Sequence, residues 1–496
     1  MQGIYTSVTK IRRQVFAAVA KLAYEHDEYS SIEELPYQII PGEVPTYRDS
    51  VFVERAIVGE RLRLAMGLPL RRADEHSALS KGVTECAVPK KFFSAPLVDV
   101  ISFACNACPT NSYEVSNNCR GCLAHPCTSV CPVKAISIVD GKSFIDKEKC
   151  VRCGRCQQAC PYSAIVHYDR PCAAACGVDA IGSDDLGRAK IDHDKCVSCG
   201  QCIVNCPFGA IADKSEIFQI IQSIKRGDKV CAAIAPSFAG QLGPLATAEK
   251  LHEAFKILGF DDVVEVALGA DKGAVAEAHH YAHKIPEEQP FLATSCCPSW
   301  SVLAKRTLPD LVDCVSESDT PMIETAKVIK KRNPNTKVVF VGPCVAKKLE
   351  ATRKIVAGYV DFVITFEELM GMFVAKGVEF GDLTNDEPLN DASADGRGYA
   401  VAGGVADAIV KNINALYPDK EVKVDRAEGL KDCKKMLMLA KAGKRNGYLL
   451  EGMACPGGCI GGAGTLMPLN KASAAVKKYQ NDSPYEIAKD NPNIDE

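Results

Sequence analysis

The sequence lacks the features that mark membrane, secreted and nucleic-acid-binding proteins. No stretch approaches the roughly 18 consecutive apolar residues that a membrane-spanning helix needs, so we expect no membrane span. The first residues contain no apolar signal-peptide core with a small-residue cleavage site. With 59 Lys and Arg against 62 Asp and Glu the net charge is −3, which predicts no nucleic-acid partner. Glycine motifs for phosphates or dinucleotides are also absent, so NAD(P)H would have to act through another subunit.

The remaining composition is that of a globular protein, except for its cysteines. Apolar residues make up 47% and charged residues 24% of the 496, a length that allows about three domains. There are 25 cysteines, and clustered thiols without a secretory signal more often hold metal than form disulfides. We therefore expect a reducing, cytoplasmic location. An organellar location is the alternative, because the basic first helix resembles a transit peptide, although Glu25 and Asp27 follow it.

The cysteine-rich part of the chain repeats itself. Residues 125–165 (HPCTSVCPVKAISIVDGKSFIDKEKCVRCGRCQQACPYSAI) recur as residues 170–211 (RPCAAACGVDAIGSDDLGRAKIDHDKCVSCGQCIVNCPFGAI). The offset is 45 residues between Cys127 and Cys172 and 46 between Cys150 and Cys196, so one residue is inserted. Such self-similarity indicates a duplicated supersecondary unit.

Each repeat carries the spacing of a bacterial ferredoxin. The two runs are Cys150-x2-Cys153-x2-Cys156-x3-Cys160-Pro161 and Cys196-x2-Cys199-x2-Cys202-x3-Cys206-Pro207. The short spacers let one loop supply three thiolates to a cubane, while the fourth cysteine reaches the neighbouring cluster. Zinc is the alternative, since CxxC pairs also suit tetrahedral zinc. Two full runs, each closed by Cys-Pro, favour the iron–sulfur reading.

A third run, Cys119-x2-Cys122-x4-Cys127-x3-Cys131-Pro132, predicts two ferredoxin-like modules in tandem and three to four accessory [4Fe-4S] clusters. The predicted ligand sets are Cys119, Cys122, Cys127 and Cys160; Cys131, Cys150, Cys153 and Cys156; Cys176, Cys196, Cys199 and Cys202; and, for a fourth cluster, Cys105, Cys108, Cys172 and Cys206. The alternative for Cys105 and Cys108 is a spare or zinc-binding pair. Such clusters pass single electrons and bind no substrate.

The C-terminal half alternates strand-like and helix-like runs, which predicts α/β architecture with mostly parallel sheets. The strand-like runs are Val230–Ala235, Val263–Ala267, Phe291–Thr294, Val338–Val341, Phe362–Thr365 and Tyr448–Leu450. Helical patterns include Ala248–Leu258 and Met322–Lys331, and, near the N-terminus, Ile11–Tyr24 and Val51–Met66. We expect a mainly helical segment at 1–100, the cluster region at 101–215, an α/β domain at 225–475 and a polar tail at 476–496.

Three of the strand-like runs end in cysteine-bearing segments. The segments are Ser295-Cys296-Cys297-Pro298, Gly342-Pro343-Cys344-Val345-Ala346-Lys347 and Cys455-Pro456-Gly457-Gly458-Cys459. Ligands gather outside the carboxyl ends of parallel strands, so these thiols are expected to converge. The glycines would let backbone approach a bulky cluster. A tight turn is the alternative for the third segment.

These three segments, in this order, resemble the signature of [FeFe]-hydrogenases over about residues 228–475. The resemblance implies an α/β two-lobed catalytic domain with mostly parallel sheets, preceded by α+β ferredoxin-like cluster domains and a mainly helical N-terminal segment. It implies reversible H2 oxidation, in an anaerobic cell, at an active-site [4Fe-4S] cubane bridged to a diiron subcluster (H-cluster). The partners implied are a ferredoxin or similar one-electron carrier and the hydrogenase maturation proteins.

The resemblance also implies roles for individual residues. The cubane ligands would be Cys297, Cys344, Cys455 and Cys459, and Cys459 would bridge to the diiron subcluster. Cys296 would pass the proton at the open iron site. Lys347 and Ser237 would hydrogen-bond the cyanide ligands, and Ser316, Glu277 and Glu350 would belong to the proton route.

The sequence departs from the family pattern at several positions. Gly342 stands where many members have methionine, and is expected to open space beside the cofactor. His280 stands where a glutamate is usual, and an imidazole can relay protons near neutral pH. The alternative is that His279, His280 and His283 lie on an exposed helix face. These changes predict a divergent subgroup with an altered proton route.

Two other functions remain open at this point. Hydrogenase-like proteins of iron–sulfur assembly keep some cubane cysteines without binding the diiron unit, and fold resemblance alone never secures function. A hydrogen sensor would share the site but signal rather than turn over. Cys296, Lys347 and the full set of four cysteines favour the enzyme, and sensors usually carry an appended signalling domain.

Overall fold

The computed structural model of the chain describes residues 3–93, 95–384 and 387–495. The N-terminal segment is helical, with helices at Ser7–Glu25, Leu35–Ile39, Val51–Ala65 and Val83–Cys86. The side chains of Thr6 and Ser50 accept backbone N–H groups at the start of the two long helices and so cap them. The first helix packs against the helix Phe366–Lys376 of the C-terminal half, where a Cβ at Gly371 would overlap Phe16. This segment therefore shares a core with the C-terminal half.

The cysteine-rich region consists of two similar units built from two-stranded antiparallel ribbons. In the first unit Ser112–Val115 pairs with Ile165–Tyr168, and Ile136–Val139 pairs with Lys142–Ile145. In the second unit Val98–Val100 pairs with Ile211–Asp213, and Ile181–Ser183 pairs with Ala189–Ile191. Four short helices, each containing one cysteine, accompany the ribbons: Pro126–Ser129, Arg155–Ala159, Pro171–Ala174 and Gln201–Asn205.

The two units are nested rather than arranged in tandem, which corrects the sequence prediction. The strand Val98–Val100 belongs to the second unit because it pairs with Ile211–Asp213, although the whole first unit lies between them in the chain. The predicted boundary between residues 100 and 101 is wrong for the same reason. We call residues 112–168 the inserted module, and residues 98–110 with 170–213 the inner module.

The C-terminal half contains two sheets in which every pairing is parallel. The first sheet has the order Asp262–Glu265, Val230–Ile234, Lys337–Gly342, Phe362–Thr365. The second has the order Phe291–Ala293, Tyr448–Met453, Lys423–Glu428. All five residues of Val230–Ile234 are buried, as in a strand covered by helices on both faces.

Helices surround both sheets. Their bounds are Ile217–Arg226, Leu251–Leu258, Val266–Lys284, Pro298–Thr307, Pro321–Arg332, Val345–Glu350, Phe366–Lys376, Ala394–Gly398, Gly404–Leu416, Leu430–Lys441 and Leu469–Asn481. No helix among the described residues is both long and apolar enough to cross a lipid bilayer.

The end of the chain is part of the α/β domain, which corrects the predicted tail at 476–496. The helix Leu469–Asn481 runs across the predicted boundary. Beyond it, Ala488 is fully buried, and the buried Asn491 donates a hydrogen bond of 2.8 Å from Nδ2 to Oδ2 of Asp271. The polar composition misled the prediction, because these polar groups are bonded to buried partners.

The inner module is fastened to the α/β domain by a buried cation. Lys348 is completely buried, with Nζ 2.7 Å from Asp213 Oδ2 and 2.8 Å from Glu368 Oε1. Although burial opposes the charge, the two carboxylates raise the pKa of Lys348. Asp213 ends a strand of the inner module. The ion pair therefore holds the inner module against the helix of the α/β domain that carries both Lys348 and Lys347.

Candidate active site

Cysteine-bearing loops from both sheets meet in one place. Cys297 follows the strand Phe291–Ala293, Cys344 follows Lys337–Gly342, and Cys455 follows Tyr448–Met453, with Cys459 in the next turn. Both Cys297 and Cys344 are the residues immediately before a helix. Parallel strands end at the same edge of a sheet, which is why loops far apart in the chain can bring their thiols together.

These thiols line a cavity of about 80 Å³. Six cysteines contribute to its wall: Cys199, Cys296, Cys297, Cys344, Cys455 and Cys459. Burial, together with adjacent thiols, raises the pKa of Cys344 to about 11 and that of Cys459 to about 12. Such thiols become thiolates only beside a strong positive charge, which the iron of a cluster would supply. The donor set therefore fits an iron–sulfur group.

A cation and an unbonded serine hydroxyl face the same cavity. Lys347 contributes to the wall and is held by Glu350, with 2.8 Å between Nζ and Oε2. Ser237 also lines the cavity, and its buried Oγ has no hydrogen-bond partner among the described residues. A buried polar atom without a partner is costly, so Ser237 fits a site whose occupant accepts a hydrogen bond.

Three of the side chains expected to carry protons form one connected group. Glu277 is buried, and although burial raises its pKa to about 7, hydrogen bonds from the Ser316 hydroxyl and the Ser295 backbone N–H oppose the shift. Cys296 lies nearby: burial, then Cys297 and Glu277, raise the pKa of this thiol. The structure thus brings Cys296, Glu277 and Ser316 together beside the cavity.

Glu350 and His280 lie outside this group. Glu350 Oε2 is bound to Lys347 and accepts a hydrogen bond of 3.3 Å from Thr320 Oγ1. The half-buried His280 has Nε2 2.7 Å from Gln289 Oε1. Among the described residues no hydrogen bond connects either side chain with Glu277.

The two other histidines named for this helix lie at the surface. His279 and His283 are both exposed and contact the hydroxyl of Tyr417, at 2.6 Å and 2.9 Å. The prediction of an exposed helix face is therefore confirmed for this pair. His280, on the same helix, is half-buried.

Several wall residues were not foreseen from the sequence. Tyr399 lines the cavity, and its buried hydroxyl has no partner among the described residues. Met322 and Met453 also line the wall. Tyr399 precedes the glycine pair Gly403-Gly404 and follows no strand, so the strand-end pattern could not find it. Met453 ends a strand that does carry the pattern, so its place in the wall could have been predicted from the sequence.

The space expected beside Gly342 is filled. A Cβ at Gly342 would lie 2.6 Å from the ring of Phe340 and 3.1 Å from Cβ of Ala235. Phe340 itself lines the cavity. The glycine therefore makes room for an aromatic ring from its own strand, and the prediction of open space is wrong.

In the inserted module the eight cysteines fall into two sets of four. One small cavity is lined by Cys119, Cys122, Cys127 and Cys160. A second is lined by Cys131, Cys150, Cys153 and Cys156. Each cavity thus contains three thiols from one loop and one from the partner run, which is the exchange expected of a two-cluster ferredoxin.

In the inner module the other eight cysteines also group by proximity. Burial, then Cys199, Cys196 and Cys176, raise the pKa of Cys202. Burial, together with nearby Cys206 and Cys105, raises the pKa of Cys172 to about 11. Burial, then Cys105 and Cys206, also raise the pKa of Cys108. Cys199 belongs to the first of these groups and also lines the main cavity, so the two sites are adjacent.

Four equivalent cysteines accept the same type of backbone hydrogen bond. The donor in each case is the N–H group four residues further on, at 3.2 to 3.4 Å: Cys131 accepts from Ala135, Cys160 from Ala164, Cys176 from Ala180 and Cys206 from Ala210. Hydrogen bonds to the sulfurs are one of the factors that set the reduction potential of an iron–sulfur cluster. In the described ranges, no three His, Cys, Asp or Glu side chains are placed to hold a single metal ion.

Known proteins resemble the chain in both halves. The iron-only hydrogenase large subunit, C-terminal domain, matches residues 228–463, and the 4Fe-4S binding domain matches residues 144–166 and 189–212. Iron hydrogenase 1 of Clostridium pasteurianum is 28% identical over 445 residues, which cover 77% of this chain and 76% of that protein. A probable cytosolic Fe–S cluster assembly factor of Aedes aegypti is 26% identical over 281 residues, 46% of this chain and 58% of that protein.

Among solved structures, a variant of [FeFe]-hydrogenase HydA1 from Chlamydomonas reinhardtii is 23% identical, with a TM-score of 0.46 over 54% of this chain and 88% of that one. The domain matches agree with what the residues indicate: thiols at three strand ends in the C-terminal half, and repeated ferredoxin runs before them. The chain is therefore an iron-only hydrogenase-like protein that carries 4Fe-4S binding domains ahead of its hydrogenase-type C-terminal domain.

Proposed function

We propose that the chain catalyses the reversible reaction H2 = 2 H+ + 2 e− at an H-cluster held by Cys297, Cys344, Cys455 and Cys459. The observation that carries the proposal is that these four thiols line one cavity together with Cys296 and Lys347. Four thiols alone would suffice to bind a cubane. A fifth thiol and a cation facing the same space indicate a larger cofactor with proton chemistry beside it.

The cofactor would lie between the two sheets, each with its helices forming one lobe. When bound, it would supply the open metal site at which H2 is split or formed, and the route by which electrons leave. Cys459 is the proposed bridge to the diiron part, whose small ligands would come from maturation proteins. The largely apolar remainder of the wall, including Val266, Phe340 and Met322, would keep bulk water away.

Lys347 and Ser237 would orient the cofactor. Lys347 is fixed by Glu350 rather than free to move, so its charge stays at the cavity wall. A charge-assisted hydrogen bond from Lys347 and a neutral one from Ser237 would favour anionic ligands on the diiron part. Glu350 is thus proposed as the residue that positions Lys347 rather than as a proton carrier.

Protons would move through Cys296, Glu277 and Ser316. A carboxyl group with a pKa of about 7 can both accept and donate a proton near neutrality, which is the requirement for a relay. Ser316 can pass the proton onward because a hydroxyl both donates and accepts.

Electrons would leave through four accessory [4Fe-4S] clusters. The two cavities of the inserted module would each hold one cluster, and the two cysteine groups of the inner module would hold one each. The cluster of Cys176, Cys196, Cys199 and Cys202 would be the one next to the H-cluster. A ferredoxin or similar one-electron carrier is the proposed partner.

We propose the cytoplasm of an anaerobic cell as the location. All 25 cysteines are free of disulfide bonds, as expected where thiols stay reduced. Clusters of this type with exposed ligands, such as Cys153, also suit an environment without oxidants.

A non-catalytic role in iron–sulfur assembly is the second candidate. The similarity to the Aedes aegypti protein favours it, since that relative is named for cluster assembly. Such a role would require the cubane ligands but gives no reason for Cys296 beside Glu277 and Ser316. The two candidates differ in whether the matured protein turns over.

Hydrogen evolution from reduced viologen tests the proposal. We expect the matured full chain to evolve H2, and Cys296→Ser to keep its iron content and cofactor while losing about 99% of turnover, because only the proton relay changes. Cys314→Ser, at a buried cysteine away from the cavity, is the matched control and should remain active. No H2 from a fully loaded wild-type protein would reject the enzyme in favour of the assembly role.

A further inference from the structure

The cysteine loops of the two modules have the same backbone but opposite surroundings. Residues 150–156 read CVRCGRC in the inserted module, and residues 196–202 read CVSCGQC in the inner module. Both loops use the left-handed conformation at the same two positions, with φ of 59° at Arg152 and 53° at Ser198, and 76° and 78° at the glycines that follow. Differences in environment can therefore be compared position by position.

In the inner module this loop face is an interface. Val197 is 4% exposed and packs in a core with Trp300. Its carbonyl accepts a hydrogen bond of 3.0 Å from Ser299 Oγ. A Cβ at Gly200 would lie 2.6 Å from Ala463 of the α/β domain. Through this face Cys199 reaches the main cavity.

In the inserted module the same face is uncovered. Val151, the counterpart of Val197, is 58% exposed. Cys153, the counterpart of Cys199, is an exposed cysteine. An exposed aliphatic side chain beside a thiol of a redox site is the arrangement expected at a docking surface that a partner protein covers only transiently. Nothing in the described parts of the chain covers this face.

The two faces also differ in charge. Ser198 and Gln201 of the inner loop correspond to Arg152 and Arg155, both exposed. Neither arginine forms an ion pair within the described residues, whereas nearby Lys147 pairs with Glu114. The inserted module, residues 112–168, has seven Lys and Arg against four Asp and Glu, although the whole chain is net negative.

We propose that the face formed by Val151, Arg152, Cys153 and Arg155 docks an acidic, small one-electron carrier protein. In the inner module this loop meets the main cavity with its valine packed, and the second cysteine is the one that lines that cavity. In the inserted module the arginines would attract carboxylates on the carrier, and Val151 would pack once docked. The carrier loses one electron and the cluster beneath Cys153 gains it, with no bond made or broken.

The inference rests on the proposed function only in requiring a redox cluster at Cys131, Cys150, Cys153 and Cys156. It is tested by reduction of the accessory clusters, not by hydrogen chemistry. The docking experiment can therefore be interpreted even if the protein does not turn over H2. An iron assay on each variant shows whether the clusters are present.

The test uses the full, cluster-loaded chain and an acidic two-cluster ferredoxin reduced beforehand, mixed anaerobically in a stopped-flow instrument. The variant Arg152→Ser/Arg155→Gln copies the inner loop, whose fold is compatible with the same cysteines. We expect its second-order reduction rate at low ionic strength to fall about tenfold, and the difference to shrink as salt is added. The matched control neutralises two exposed cations of the α/β domain, Arg353→Ser/Lys354→Gln, and should stay within about twofold of wild type.

Three results would overturn the proposal. The first is equal reduction rates in wild type and the loop variant at full iron content. The second is an equal loss in the control variant, which would indicate a general effect of net charge. The third is faster reduction by a basic carrier protein than by the acidic one. A Val151→Ser variant provides a second probe without any charge change, and it should slow reduction at low and high salt alike.

Discussion

Glu277 has a pKa that its surroundings change in a way that suits a relay. Burial penalises the carboxylate and raises the pKa from 4.5 to about 7, even though two hydrogen bonds stabilise the ion. The unfolded chain would lose this proton first as pH rises. Glu277 therefore lowers the free energy of unfolding progressively between about pH 4.5 and pH 7. A group that costs stability in this way is more easily explained by function than by packing.

Replacing this carboxyl group should change the pH profile of turnover. Glu277→Gln keeps a side chain of the same shape but cannot carry the proton. We expect turnover to fall about a hundredfold, and the inflection near pH 7 in the rate profile to disappear. H2 evolution measured between pH 5.5 and 8.5 checks both effects.

Asp271→Asn is the matched control for that prediction. Asp271 lies on the same helix, and burial raises its pKa to about 6, but it bonds Ser393 and Asn491 away from Cys296. This variant should keep the inflection near pH 7. If the inflection survived in Glu277→Gln instead, the proton route would need another carboxyl group.

The residues of the site were predictable to the extent that they share a local pattern. Thiols at strand ends can be recognised in the sequence because parallel strands deliver them to one edge. Tyr399 has no such pattern, and its approach to the cavity depends on packing between distant helices. The ring of Phe340 fills the space beside Gly342, which is visible only once the strand is folded.

At the scale of elements, the two modules differ at the residue that precedes the first proline of the repeat. The first repeat has His125 and the second has Arg170. The buried Arg170 guanidinium donates hydrogen bonds to the carbonyls of Cys108, Gly182 and Gly187, at 2.7 to 3.1 Å. It therefore ties the loop that enters the inserted module to the ribbon of the inner module.

Loss of this arginine should loosen the ribbon. Arg170→Leu removes the charged donor that three carbonyl groups share, and we expect the free energy of local opening to fall by about 3 kcal/mol. Hydrogen exchange of residues 181–191 in the loaded protein should accelerate about a hundredfold. Arg188→Leu, which breaks a partly exposed ion pair with Asp184 in the same ribbon, should cost about 1 kcal/mol or less. Equal exchange in the two variants would contradict the bracing role.

The strands that the sequence failed to predict are those with little apolar periodicity. Lys423–Glu428 (KVDRAE) is an edge strand with no buried residue, and charged edge strands carry no clear core-facing signal. The run Val263–Ala267 is only partly a strand, because Val266 and Ala267 already belong to the next helix. Both are buried, and a short buried run does not distinguish strand from helix.

At the scale of the whole molecule, the nesting of one module inside the other explains the distribution of cysteines. Cys105 and Cys108 precede the inserted module because they belong to the inner one, together with Cys172 and Cys206. Spacing predicts the groups that contain a full run, whereas Cys105 and Cys108 are assigned to a group only as the free pair nearby. Which loop faces the α/β domain and which faces outward was not predictable, because both loops have nearly the same sequence and only their neighbours differ.

The proposed function depends on cysteine thiolates that hold a diiron-linked cubane. Infrared spectroscopy with iron quantitation on the matured protein measures this, with Cys459→Ala as the paired variant. We expect bands of metal-bound CO and cyanide, about 22 iron atoms per chain when all clusters are loaded, and loss of those bands in Cys459→Ala. A wild-type protein with its cubane iron but no such bands, or bands that persist in the variant, would show that no diiron unit is held at Cys459.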